Sequence, residues 1–229
     1  MDPAGRSTQA PHSLVSESGI DCPTEPVSER RTLLWEVAGY LLVRPLAALV
    51  ILLIAAPVAA DDFREAWAAL ANGGHVALVR HGNAPPGSGG DPPGFKIDDC
   101  STQRNMDDRG RSQAKAVGEA FRQHGVRVDR ILSSPWCRCL ETAGLLGLGA
   151  VESEWIVAAS ADKSPERLAA LKQMVSGWRG PGTLVVVTHA LTVQGLVGIM
   201  PGQAETVVLR PKSGMEPGVD VVGRIPVRE

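Results

Sequence analysis

Three short apolar runs end in unusual polar residues, and this pattern restricts the folds open to the chain more than any other feature. His75–Arg80 (HVALVR) leads into His81-Gly82, Asp129–Ser133 (DRILS) into Ser134-Pro135, and Leu184–Thr188 (LVVVT) into His189. Aliphatic runs of this length, rich in branched residues, read as strands buried on both faces. Helical patterns separate them. Asp107 or Asp108 caps a helix to about Gln123, with Gly110, Ala114, Val117, Gly118 and Phe121 along one face. Ser164-Pro165-Glu166 supplies a cap, a first-turn proline and a first-turn acid. The helix it opens carries Leu168, Leu171, Val175 and Trp178 on one stripe. A further helix runs from a cap at Asp61 or Asp62 to about Ala71 and ends at Asn72-Gly73-Gly74. Strands alternating with helices predict an α/β domain around a mostly parallel sheet. Past Pro201, Thr206–Leu209 and Val219–Ile225 read as an antiparallel pair at a sheet edge.

Ligands of open α/β sheets bind beyond the carboxyl ends of the strands. In such a sheet Arg80, His81, Arg138 and His189 converge on one rim. A lone histidine at a strand end is more often structural, but three strands ending this way favour a site. Guanidinium groups match phosphate geometry and keep their charge. Arg138 falls in the opening turn of a helix, where free amides also favour an anion. Gly82 permits close backbone approach to a ligand. A neutral imidazole held at one nitrogen attacks with the other, and a second stabilises charge in the transition state. No Asp/Glu cluster suited to magnesium lies at these strand ends, so neither metal nor cofactor is expected.

The motifs themselves match a family. Leu78-Val79-Arg80-His81-Gly82, Ser133-Ser134-Pro135-x-x-Arg138-Cys-x-Glu141-Thr142-Ala143 and Val187-Thr188-His189 resemble the signatures of the histidine phosphatase superfamily, whose fold is called phosphoglycerate mutase-like. Met106-Asp107-Asp108-x-Gly110-x-x-Gln113-Ala114 resembles the helix opening that lies between the first two. The resemblance spans about residues 75–199. It implies a three-layer fold with helices on both sides of the sheet, His81 as the nucleophile, and a phosphate pocket of Arg80, Arg138 and His189. Many members also use a carboxylic acid to protonate the leaving oxygen, at a position that varies. Glu152, Glu154 and Asp162 lie in the right region, with Asp162 preferred, against the alternative that all three are surface carboxylates. The small periplasmic members are the most similar.

The amino terminus bears on compartment. The first 30 or so residues hold scattered Pro, Ser and Glu without apolar periodicity and read as disordered. Arg30, Arg31 and Arg44 then precede an apolar run from Leu46 to Ala56, which closes in Val58-Ala59-Ala60 before Asp61-Asp62. This has the layout of a secretory signal; an uncleaved anchor is the competing reading, but a span needs about 20 apolar residues. Residues 1–60 are therefore expected to be an extension plus signal, and 61–229 the domain, periplasmic or secreted, with no membrane span after cleavage. Cleavage would leave Cys100, Cys137 and Cys139 in an oxidising compartment, where one bridge and one spare thiol are expected. Cys100 follows a Gly/Pro-rich loop, Asn83–Pro93, that is read as substrate-facing, and the other two cysteines flank Arg138. Hence Cys100 is expected to pair with Cys137 or Cys139. Zinc at Cys137-x-Cys139 is disfavoured, because helix positions two apart diverge.

With 23 basic and 25 acidic residues, no cluster of positive charge announces a nucleic-acid partner. The reading is an exported phosphomonoester phosphohydrolase acting on a small phosphorylated compound. Sugar phosphates suit the compartment, and the loop has little basic charge beyond Lys96 for a polyanion. A mutase-type phosphotransferase and a non-catalytic phosphate-ligand binder are the rival readings. Amino-terminal sequencing of the protein isolated from its host should start at Asp61. An intact apolar segment in the membrane fraction would defeat the cleavage reading.

Overall fold

Why the sheet takes two helical layers follows from its strands. The computed structural model describes residues 58–86, 90–158, 164–212 and 218–227, all within a unit running from Pro57 to Glu229. The expected disordered extension and the apolar run lie outside the described residues, as do Asp162 and the middle of the Gly/Pro-rich loop. Val76–Arg80 (β1), Val128–Ser133 (β2), Val151–Ser153 (β3), Thr183–Thr188 (β4), Thr206–Pro211 (β5) and Val219–Ile225 (β6) form one sheet in the order β3-β2-β4-β1-β5-β6. β1 and β4, β4 and β2, and β2 and β3 pair in parallel, whereas β5 pairs antiparallel with β1 and β6. The mostly parallel sheet and its antiparallel edge pair are as expected.

Successive strand side chains point to opposite faces. Ala77, Val79, Ile131, Val185, Val187 and Val208 share one core with Trp67, Leu70, Phe121, Ala143 and Leu146. These come from the helices Val58–Asn72 (α1), Asp108–Gln123 (α2) and Cys137–Leu146 (α3). Val76, Leu78, Leu132, Leu184, Val186, Val207 and Leu209 meet Leu171, Val175, Val193 and Leu196 on the other face. There lie the helices Pro165–Ser176 (α4) and Ala190–Val197 (α5), with a 3-10 turn at Trp155–Ala158. Three layers result. Each fully buried aliphatic side chain contributes roughly 1.5–3 kcal/mol by leaving water, so the parallel strands are apolar on both faces and hold their register firmly.

Some boundaries moved. α1 starts at Val58, three residues before Asp61, so neither aspartate is its cap. The expected cap of α2 is Asp107, whose carboxylate accepts from the Gly110 amide at 2.8 Å. Ser164 precedes α4 without a side-chain capping bond, and Pro165 and the first-turn Glu166 mark that start. β3, α5 and the 3-10 turns lacked any clear sequence signal. His75 and His124 have structural contacts: His75 lies 2.6 Å from the Gly73 carbonyl oxygen, and His124 stacks on Trp67.

α2 and α3 approach closely because Gly118 lacks a side chain: a Cβ there would lie 1.9 Å from the Leu146 carbonyl oxygen. α3 is also fastened from the other side. A disulfide joins Cys100 to Cys137 across a separation of 37 residues, and Cys139 remains a buried free thiol. Of the two pairings left open by the sequence, this settles on the cysteine in the first turn. In the chain-entropy picture such a loop constrains the unfolded chain by about 4 kcal/mol, with measured values commonly smaller. The Cys100→Ser/Cys137→Ser double variant is therefore expected to lose roughly 2–4 kcal/mol in equilibrium unfolding. Unchanged stability, or mapping that finds both thiols free in the native protein, would refute the bridge.

Candidate active site

β2, β4 and β1 are adjacent and parallel, so their carboxyl ends share one rim. The residues just beyond them stay in register: the His81 amide donates to the Thr188 carbonyl and the Ser134 amide to that of Val187, both at 3.0 Å. His81 and His189 consequently face each other with ring centroids 5.5 Å apart. Arg138 enters from the first turn of α3 and lies 3.5 Å from Nδ1 of His189 through Nη2. Arg80 ends β1 and donates to the Pro201 carbonyl at 2.9 Å. All four residues singled out in the sequence are thus brought together.

The turn carrying His81 is held by the motif between the first two strands. Its Asn83 amide donates to Gln113 Oε1 at 2.9 Å, and Asn83 Nδ2 donates to the capping carboxylate of Asp107 at 2.6 Å. The Gly82 amide donates to the Thr142 hydroxyl at 3.1 Å, which in turn donates to the Arg138 carbonyl at 2.7 Å. Gly82 itself is required by packing. A Cβ there would sit 2.4 Å from the Gly110 carbonyl oxygen, and one on Gly110 would meet the Asn83 carbonyl oxygen at 2.2 Å. The glycine read as making room for a ligand makes room for α2.

Hydrogen bonding selects the tautomers. His81 Nδ1 lies 2.8 Å from the Gly82 carbonyl oxygen, an acceptor only, so Nδ1 carries the proton and Nε2 keeps a free lone pair. An arginine only donates, so Nδ1 of His189 accepts from Arg138 and its Nε2–H points to Ser134 Oγ, 2.8 Å away. Burial pushes the His81 pKa down to about 3; Arg138, Arg80 and Arg104 add to the shift, while the Gly82 hydrogen bond opposes it. His189 is held well below the usual range by burial, then by Arg138 and His81. Both rings are neutral at neutral pH. Burial pushes the Cys139 thiol up to about 12, so this buried neighbour of His189 is no nucleophile.

Two residues escaped the sequence reading. Arg104 donates to the Ala84 carbonyl and adds a third guanidinium to the field around the histidines. Asp91, in the Gly/Pro-rich loop, accepts from Arg138 at 2.8 Å, from the Arg104 amide at 2.9 Å and from Trp136 Nε1 at 2.9 Å. Arg104 lies two residues before the Met106 motif, and this proximity was the available signal; for Asp91 there was none. The expectation of a free helix amino terminus also needs correction. The first amide of α3, that of Cys137, donates to Gln103 Oε1 at 3.0 Å, and the Cys139 amide donates to Trp136. Burial leaves Nε of Arg80, Arg104 and Arg138 without a hydrogen-bond partner in the protein. Such donors are costly to bury unpaired, and an oxyanion would satisfy them.

Of the candidate carboxylic acids, Asp162 lies outside the described residues and the other two are away from the rim. Glu152 forms an exposed ion pair with Arg130 at 2.6 Å, and Glu154 is exposed. Among the described residues no group of three His, Cys, Asp or Glu is arranged to hold a metal, and no helix is long and apolar enough to cross a membrane.

The three-layer α/β fold thus gathers two neutral imidazoles and three guanidinium groups at one strand-end rim, a set of donors suited to an oxyanion. Residues 76–155 match the model of the histidine phosphatase superfamily (branch 1), a segment that holds three of the four motifs. A 72-residue stretch is 31% identical to the mitochondrial serine/threonine-protein phosphatase Pgam5 of Drosophila virilis, and 29% to that of Drosophila grimshawi. The stretch is 31% of this chain but only 22% of the length of those relatives. Similar solved structures include the protein histidine phosphatase SixA complexed with tungstate, 15% identical with a TM-score of 0.48 over 66% of this chain and 96% of that one. A mycobacterial glucosyl-3-phosphoglycerate phosphatase is 18% identical with a TM-score of 0.44, over 64% and 96%.

The low proton affinity of the two rings has a stability consequence. In the unfolded chain both imidazoles take a proton near pH 6.5, but in the folded protein they resist it. Protons therefore bind the unfolded state first, so stability is present above about pH 6.5 and is lost as pH falls towards the folded value of about 3 for His81. The unfolding midpoint should drop between pH 6.5 and 5, and the drop should shrink in a His81→Gln/His189→Gln variant. An identical slope in that variant would show that other groups cause it.

Proposed function

We propose that the protein is an exported phosphomonoester phosphohydrolase that transfers the phosphoryl group to His81 and then to water, without a metal. The observation that carries this reading is the state of His81. Its ring is neutral, its Nδ1 is engaged by the Gly82 carbonyl, and its Nε2 is free beside three arginines. An unprotonated nitrogen with a fixed orientation is what nucleophilic attack on phosphorus requires. Arg80, Arg138 and Arg104 neutralise the phosphoryl oxygens. His189 stabilises charge in the transition state and does not attack, because Ser134 and Arg138 occupy both of its nitrogens. The Cys100–Cys137 bridge supports export, since disulfides persist in oxidising compartments.

A small substrate, such as a sugar phosphate, is favoured. Trp136 lies 5.4 Å from the His189 ring and continues outward to Trp155 at 5.6 Å and Phe95 at 6.1 Å. Trp155 and Phe95 are exposed. Rings in that position offer flat apolar faces on which a leaving group with a ring of its own can lie.

His81→Ala should reduce turnover of p-nitrophenyl phosphate at least about a thousandfold, the order of loss when a nucleophile is removed, while inorganic phosphate still binds. His189→Ala should retain some phosphoenzyme formation. Turnover should survive EDTA, and labelled enzyme mapped at alkaline pH should carry phosphohistidine at position 81. Label on a serine or carboxylate, or activity that EDTA abolishes and zinc or magnesium restores, would overturn the proposal.

A further inference from the structure

A pocket of imidazoles and guanidinium groups binds a phosphoryl group well but has no proton to give an alkoxide leaving group. Of the acids that the sequence offered, Asp162 lies outside the described residues, Glu152 is tied to Arg130 through three hydrogen bonds of 2.6–3.1 Å at the exposed sheet edge, and Glu154 is exposed. Asp91 is different. Its side chain and that of Arg138 are each only 6% exposed, and one of its oxygens lies 2.8 Å from Arg138 Nη1. Its other oxygen accepts from Trp136, whose ring borders His189. If Arg138 grips the phosphoryl group, Asp91 lies one guanidinium away from it, on the side where the aromatic row begins.

The geometry points to Asp91 as the general acid–base of the reaction, a role that rests on the phosphohistidine reading above. Arg138, the Arg104 amide and Trp136 donate to its carboxylate, and the Arg104 guanidinium is near. In the empty pocket burial pushes the carboxyl up, but the hydrogen bonds from Arg104 and Arg138 outweigh it and hold it below the usual range. A phosphomonoester dianion on Arg138 reverses that balance. It competes for the carboxylate's donor and places like charge beside it, and both effects raise proton affinity. With substrate bound, Asp91 is protonated. As the His81 Nε2–P bond forms and the P–O ester bond breaks, the Asp91 proton passes to the leaving oxygen, giving the free alcohol. The resulting carboxylate then takes a proton from the water that attacks phosphorus, the N–P bond breaks, and inorganic phosphate leaves with Asp91 protonated again.

The test is the dependence of rate on the leaving group. p-Nitrophenolate departs readily without a proton, whereas an alkoxide does not, and a positioned acid is worth about 10²–10⁴-fold. In the full chain with its disulfide intact, Asp91→Asn should lower kcat/KM, which reports the steps through departure of the leaving group, at least about thirtyfold more on glycerol phosphate than on p-nitrophenyl phosphate. Glu152→Gln should leave that ratio unchanged. Equal losses on both esters would mean that Asp91 only positions Arg138, and tighter phosphate binding with an unchanged ratio would mean that it only competes for it. Either result overturns the assignment. If the wild-type chain turns over neither ester, the phosphatase reading itself fails, which the ratio keeps separate.

Discussion

Three guanidinium groups share a small, largely buried rim with two imidazoles, and the rest of the molecule is arranged around that concentration of charge. Unlike a carboxylate or an amine, a guanidinium does not shed its charge when buried. Arg80, Arg104 and Arg138 instead find carbonyl and carboxylate acceptors: Pro201, Ala84 and Asp91. Glu205, which lies close enough to Arg80 to raise its proton affinity, is itself pinned by Arg224. The histidines yield because they can. Burial and the positive field drive both rings to the neutral form, and neutrality is the property that the proposed chemistry uses.

Such an arrangement needs a rigid frame, because like charges repel unless their positions are imposed. Two contacts of backbone on backbone impose them. Gly82 against Gly110 sets the first turn of α2 onto the loop after β1, and Gly118 against Leu146 sets α2 onto α3. Thr142 then links the Gly82 amide to the Arg138 carbonyl, so the strand that presents His81 and the helix that presents Arg138 are one hydroxyl apart. The disulfide and Gln103 hold the opening turn of the same helix from outside. Motifs that look separate in sequence are thus parts of one clamp.

The strands of the parallel core and the polar residues at their ends were legible because their signal is local. A both-face-buried strand needs consecutive apolar residues, and Thr183–Thr188 and Val76–Arg80 have them. β3 was not legible, for its three residues carry only a half-buried valine and two exposed side chains and rely on β2 for pairing. α1 starts ahead of Asp61 and Asp62 because the residues just before them, Ala59 and Ala60, are strong helix formers.

By itself the sequence determined that four residues, Arg80, His81, Arg138 and His189, would meet, since parallel strands of one sheet end on one rim whatever else the chain does. It also determined that a bridge would tie the loop to α3, though not by which cysteine. Only the tertiary structure decided the chemical state of those residues. Tautomer and proton affinity depend on the Gly82 carbonyl, the Ser134 hydroxyl and the depth of burial, none of which has a signature in residue order. The same is true of Asp91, which enters the pocket from an irregular segment, whereas Arg104 had only its nearness to the Met106 motif to mark it. A loop residue's place is set by long-range contacts, here to Arg138 and Trp136, and no periodicity announces it.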